Sequence, residues 1–333
     1  MTFRPIAIFV FSFWLIGYNV IGQPEDAVDK LLNSLTPSGI PTDLLATKTV
    51  ALFQPEFSTK ELQQIQTGFE RTGVDVVLYY PSDYPFSNRE IQKLFSDYLT
   101  KREIKYLLIL KKNAKGYQFT FTEFDKTMAF AKAGQPCWKM EGPNLQEISL
   151  DIFRTALNSQ KRLNMLVAPT PEVGVKLRLI RGQRIERYAT DLRIDRLAVI
   201  KFGDAQWDKE LEELLKVHYP LKYELFEPGT LETDLRKKGF LFILHYFHTR
   251  GKVAMDFLGY DMSKIGNSIA SISYASGQLE LKTAPAEQTV YKFYFKQLEN
   301  LNVYLGSKWD ADIDWKQALI NQIKGLKAEL KIN

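Results

Sequence analysis

The sequence predicts an α/β protein built from two duplicated three-layer-type units. Each unit runs strand, helix, strand, helix, followed by an antiparallel hairpin, extra strands and a closing helix. Three observations predict this. The run Ile-Lys-Tyr-Leu-Leu-Ile-Leu at 104–110 is echoed by Gly-Phe-Leu-Phe-Ile-Leu at 239–244, and near-continuous apolar strands belong at the centre of sheets covered on both faces. Each copy follows an alternation of apolar runs and amphipathic stretches and precedes a turn and another strand. At 333 residues the chain also exceeds the usual size of one hydrophobic core.

The amino terminus is different in kind. Arg4 precedes an apolar run over 6–21 broken only by Ser12, Gly17 and Asn19, the layout of a secretory signal peptide over 1–22 with a cut ahead of Gln23. The alternative is an uncleaved anchor, because the run is near the lower limit for crossing a bilayer. No cysteine follows the run, which excludes a bacterial lipoprotein anchor, and no later run approaches membrane-spanning length. Residues 23–46 form a lead-in, with Val28, Leu31, Leu32 and Leu35 as a small docking helix before Pro37, Gly39 and Pro41 break the chain.

The first unit, 47–162, opens with a buried strand at 49–53. Ser58 and Glu61 have capping-box spacing, Leu62, Ile65 and Phe69 repeat at helical spacing, and Gly73 ends the helix. A strand at 74–80 follows. Ser87 and Glu90 predict a second capping box, opening a helix that carries Ile91, Leu94, Phe95, Tyr98 and Leu99 on one face. After the strand at 104–112, a turn at 113–116 leads to an antiparallel partner at 117–124. A short strand at 127–132, Trp138 and a closing helix at 144–160, signed by Asn144 and Glu147, complete the unit.

The second unit, 197–333, repeats the order: a strand at 197–202, a helix capped by Asp208, a strand at 221–226, a short helix at 231–238 and the echo strand at 240–247. Its hairpin partner is expected at 253–260. Extra strands at 268–274, 278–282 and 290–298 precede Trp309 and a last helix from Asp314, striped by Trp315, Leu319, Ile323, Leu326 and Leu330. Between the units, 163–196 reads as a linker in which Val175, Leu177 and Leu179 alternate with Lys176 and Arg178, predicting a half-exposed hairpin with a basic face. Arg181, Arg184, Arg187, Arg193 and Arg196 extend that face, either as a solvated surface or as a contact for an acidic partner or polyanionic glycan.

Composition narrows the chemistry. The net charge of +5, less the one charge of Arg4, leaves +4 after signal removal, too mild for a nucleic-acid binder. Cys137 is the one cysteine, so no internal disulfide forms, and a lone buried packing thiol is expected. The first strand-to-helix loops lack the glycines of a phosphate cradle, and no cofactor is expected. His245 and His248, three apart on a strand, point to opposite faces and cannot share a metal. Asp310, Asp312 and Asp314 begin like a calcium loop, but Trp315 and Asn321 fall where glycine and glutamate are needed, and helix capping and dipole complementation explain Asp312 and Asp314. No hydrolase triad, nucleophile elbow or zinc cluster assembles at recognisable spacing.

Open α/β sheets place ligands beyond the carboxyl ends of their strands. That rule nominates Glu56, Tyr80, Asp83 and Tyr84 in the first unit and Asp204 and Trp207 in the second, with Arg181, Arg184 and Arg187 on the linker. Glu56 and Asp83 beside aromatic rings are the residue types of a sugar site. The sequence thus suggests an exported protein, periplasmic or secreted, serving as a non-enzymatic interaction module in a Gram-negative envelope with a protein or glycan partner. The alternatives are an envelope glycan hydrolase using Glu56 and Asp83, or a small-ligand binder with a cleft between the units.

Overall fold

A computed structural model describes residues 27–159, 161–173, 177–275 and 278–332. The expected signal segment, and Lys176 with Val175 of the expected hairpin, lie outside the described residues. In chain order come α1 (Ala27–Asn33), β1 (Thr36–Pro37), β2 (Lys48–Phe53), α2 (Thr59–Thr72), β3 (Asp75–Pro81), α3 (Arg89–Lys101), β4 (Ile104–Asn113), β5 (Gly116–Glu123), β6 (Pro136–Gly142) and α4 (Leu145–Ser159). Then follow β7 (Glu172–Val173), β8 (Arg184–Ile185), β9 (Leu197–Ile200), α5 (Ala205–His218), β10 (Tyr223–Phe226), α6 (Glu232–Lys237), β11 (Phe242–Arg250) and α7 (Gly251–Phe257). The chain closes with β12 (Ser268–Ser273), β13 (Glu280–Pro285), β14 (Thr289–Gln297), β15 (Val303–Tyr304) and α8 (Trp315–Leu330).

The α/β class is as the sequence predicts. A seven-stranded sheet has the order β1-β6-β5-β4-β2-β3-β7, a six-stranded sheet the order β10-β9-β11-β14-β15-β8, and β12-β13 form a separate hairpin. In the first sheet β3, β2 and β4 are parallel while β5 and β6 continue antiparallel. The second sheet repeats that order and those directions through β10, β9, β11, β14 and β15.

The run at 104–110 supplies both faces of the first sheet. Tyr106, Leu108 and Leu110 pack under α2 and α4 with Phe69, Phe119 and Ile152. Leu107 and Ile109 pack under α1 and α3 with Val28, Phe95 and Leu99. Alternate residues of a strand point to opposite faces, so an unbroken apolar run is what a strand between two helical layers requires. In the second sheet, α5 and α8 cover Val199, Leu244 and Phe295, and Leu235 of α6 meets Ala198 and Ile243 on the reverse face. A further core joins the sheets, where Ile91 of α3 is packed among Phe247, Phe257 and Tyr294.

Four expectations are corrected. Residues 127–132 are turns, with Phe130 held at φ 66, and the third antiparallel strand is β6. The expected hairpin partner at 253–260 is the helix α7, and β14 pairs with β11 instead. The basic stretch does not pair with itself among the described residues, because β7 joins β3 and β8 joins β15. Two caps also move by a residue or more: Asn88 caps α3 by accepting from the Glu90 N–H at 2.7 Å, and Asp204, not Asp208, caps α5. Asp208 instead accepts from the Phe202 N–H at 2.7 Å.

Candidate functional site

Of the nominated residues, Tyr80 and Tyr84 lie side by side with ring centroids 5.6 Å apart, and each of the others has its own surroundings. Glu56 is exposed on the turn after β2, its carbonyl accepting from Lys112 Nζ at 3.0 Å. Tyr80 is fully buried, its ring 4.8 Å from that of Phe95. Tyr84 packs its ring 4.3 Å from Phe257, across the boundary between the sheets. Asp204 is occupied at the α5 cap, and Trp207 stacks on Trp315 at 5.3 Å. On the linker, Arg181 and Arg187 are exposed, while Arg184 lies over the Tyr260 ring at 4.2 Å and donates to the Leu258 carbonyl at 2.6 Å.

Asp83 is committed to a salt bridge. Its carboxylate accepts from Arg250 Nε at 2.7 Å and Nη2 at 3.2 Å, and from the Thr249 hydroxyl at 3.1 Å, a bidentate geometry suited to the planar guanidinium. Arg250 also reaches Glu287 at 2.5 Å. These contacts begin a polar seam between the first sheet's loops and β11 and β14 of the second.

Further along the seam, the start of α3 meets the second sheet. The His248 N–H donates to the Ser87 carbonyl at 2.8 Å, and Asn88 Nδ2 donates to the Tyr246 carbonyl at 2.6 Å and to Tyr294 Oη at 3.3 Å. Tyr294 Oη donates to Glu90 at 3.1 Å. Lys296 Nζ bonds Glu90 and also Glu232 at 2.8 and 3.1 Å, and His245 Nε2 lies 2.9 Å from Glu232. Burial works to raise the Glu232 carboxyl, but the His245 hydrogen bond and the charge of Lys296 overcome it and hold the group at about 2. For Lys296, burial opposes the charged form, yet the two carboxylates keep its ammonium above the ordinary lysine range. Burial, then Glu90, pushes the Tyr294 phenol well up, so it remains a proton-bearing donor.

Glu90, Glu232 and His245 place donor atoms within 4.8 Å of one another, the residue types of a zinc site. Lys296 already supplies the positive charge there, so the cluster reads as a closed ion-pair network joining the two sheets. The sequence signal for it was Lys292 and Lys296 inside the otherwise aromatic β14, since a buried ammonium requires a carboxylate partner. Lys292 has one: its Nζ bonds Asp310 at 2.5 Å, Gln322 at 2.9 Å and the Leu305 carbonyl at 3.3 Å. Asp314 caps α8 at 3.0 Å, as its spacing suggested. His245 and His248 do face different surroundings, the latter stacked on Tyr291 at 4.2 Å and lowered to about 4 by burial. Cys137 is buried.

Two shallow, open surface hollows occur among the described residues, and neither lies between the two large sheets. One of about 280 Å³ is lined by Leu214, Val217, His218 and Lys316, the other, of about 460 Å³, by Ile272, Leu281 and Trp309. Among the described residues no helix is long and apolar enough to cross a membrane.

The surface feature that stands out is on α4. This helix is apolar on two stripes and buries one. Leu145, Ile148, Ile152 and Ala156 are turned into the core, and α2 and α4 approach so closely that a Cβ on Gly68 would lie 2.9 Å from Ser149 Oγ. Leu150, Phe153 and Leu157 form the second stripe, at i, i+3 and i+7, exposed at 45%, 37% and 40%. Beyond the helix, Leu163, Met165 and Leu166 are exposed at 57%, 76% and 93%, although this segment is fixed to the turn just before β2 through Leu163 and Asn164 N–H bonds to the Leu45 carbonyl at 3.0 and 2.8 Å. Sequence reading missed the stripe because one apolar face suffices to explain a docked helix.

The fold therefore defines an α/β protein with two mixed sheets clamped by a polar seam. Comparison with protein-family models, curated proteins and solved structures returns no match.

Proposed function

We propose that this is an exported, non-enzymatic interaction module, periplasmic or secreted, whose binding surface is the outer face of α4 with the segment after it. The observation that carries this reading is the exposure of Leu150, Phe153 and Leu157 together with Leu163, Met165 and Leu166. Scattered exposed apolar residues are ordinary, but a rank of them along one helix marks a surface that another molecule covers. The seam supports the non-enzymatic side, since Asp83, Glu90 and Glu232 are spent on joining the sheets. Export rests on the apolar run after Arg4, and the shared strand order of the sheets supports an internal duplication.

A photo-reactive side chain at position 153, in cells exporting the full chain, should give a crosslinked adduct, while one at the exposed Lys209 should not. Leu157→Asp should abolish the adduct without changing the melting temperature. Absence of any adduct at 153 and 166 would refute the reading.

A further inference from the structure

We propose that the occupant of this face is a second copy of the chain, docked α4 against α4 in antiparallel fashion about a two-fold axis near Phe153. The proposal rests on the reading of α4 as a binding surface and adds the partner. It follows from how charge and apolar side chains are distributed along one helix.

The exposed charges of α4 are sorted by sign. Glu147 and Asp151 lie in its amino-terminal part, Arg154 in its carboxyl-terminal half and Lys161 just beyond its end, all four exposed. Helical geometry, at 100° per residue, puts Glu147, Asp151 and Arg154 on the flank of the Leu150, Phe153, Leu157 stripe that faces away from the buried side. The other flank belongs to Ile152 and Ala156, which are turned into the core.

A two-fold interface must be self-complementary, each contact occurring twice. With the axis between positions 153 and 154, Leu150 of one copy faces Leu157 of the other, and the two Phe153 rings meet near the axis. The same placement brings Asp151 of each copy within a turn of Arg154 of the other. In an antiparallel pair related this way, like flanks of the two helices adjoin. The charged flanks therefore meet, and the two protein bodies lie away from the contact. A parallel two-fold pairing would instead place the two charged flanks on opposite sides of the contact, where no acid meets a base. One axis thus satisfies the apolar stripe and the Asp151 and Arg154 charges.

A contact of one helix face per copy is small beside the roughly 800 Å² per partner of a standard stable interface. The pair should accordingly be a dynamic monomer–dimer equilibrium with a dissociation constant on the order of 10 µM, in the range of weak, transient contacts.

Sedimentation velocity of the full exported chain over about 1–200 µM tests this. Wild type should shift from monomer to dimer with concentration. Phe153→Asp should remain monomeric at the highest concentration. Arg154→Asp, which sets acid against acid twice, should weaken the dimer about five- to tenfold, since each exposed ion pair is modest. The double swap Asp151→Arg with Arg154→Asp should restore it to within about threefold. All of these positions are exposed, and thermal unfolding checks that the fold persists. A monomeric wild type at 200 µM, or a dimer that ignores Phe153→Asp, overturns the proposal, as does a double swap no better than Arg154→Asp alone. The two readings separate cleanly: an adduct at position 153 to another protein, with a monomeric purified chain, removes the self-pairing and leaves the binding face.

Discussion

Replacing Lys296 by alanine removes the ammonium that neutralises Glu90 and Glu232 at the junction of the two sheets. The side chains of Lys296, Glu90 and Glu232 are 9%, 18% and 31% exposed. Breaking a fully buried pair by deleting one partner costs about 3–5 kcal/mol; with partial exposure of both acids, about 2–4 kcal/mol is expected. At roughly 2–4 °C per kcal/mol for a chain of this size, the melting temperature should fall by about 4–16 °C. Calorimetry at pH 7 measures this. The variant also leaves Glu90, Glu232 and His245 with their donor atoms within 4.8 Å of one another and no cation among them. Zinc should then recover part of the loss, about 2.7 kcal/mol at a hundredfold excess over its dissociation constant, while leaving the melting temperature of wild type unchanged. A Lys296→Ala protein that melts within about 1 °C of wild type would refute the assignment of the seam as a charge-neutralised clamp.

Acid should unfold the protein in two windows. His248, lowered to about 4 against an ordinary 6.5, binds a proton more readily unfolded than folded, so stability falls as pH drops from 6.5 towards 4, and His248→Gln should remove this component of the melting curve. Glu232, at about 2 against 4.5, stabilises fully above its unfolded value and loses that contribution, roughly 2–3 kcal/mol, between pH 4.5 and 2; urea titrations across this range should show it. Asp310→Asn should cost about 3–5 kcal/mol by stranding the buried Lys292, and the double change with Lys292→Met should recover most of it, readable as paired denaturation midpoints. Ser58→Ala, at a capping box in which Glu61 accepts from the Ser58 N–H at 2.7 Å, should cost about 1 kcal/mol; no change in the midpoint would count against that cap.

What could be read from the sequence was local or periodic. The Ser58–Glu61 box formed because both partners lie within one turn, and β4 was legible because helices on both sides demand an apolar residue at every position. The box expected at Ser87 and Glu90 did not form, because the Glu90 carboxylate is drawn to Lys296, 206 residues away, and no local pattern reports a partner at that distance. Residues 253–260 misled for a different reason. Val253, Ala254, Met255 and Phe257 are all buried, and a short element covered on every side shows no period that separates strand from helix. The partners of the nominated loop residues were hidden for the same cause as that of Glu90: Asp83 pairs with Arg250, 167 residues away, and Tyr80 is in the core.

The helix α3 is shared property. Phe95 and Leu99 complete the first sheet's core, whereas Ile91 and Leu94 contribute to a core whose other buried members run from Leu179 to Ala311. When the first sheet leaves the ribosome, that side of α3 has nothing to cover it. At about 5–20 residues per second, the 206 residues between Glu90 and Lys296 take about 10–40 s to synthesise. For that interval an apolar patch and an uncompensated carboxylate stand open on an otherwise formed half, which makes it a natural foothold for a holding chaperone and a point where premature folding is deferred until the whole chain is made.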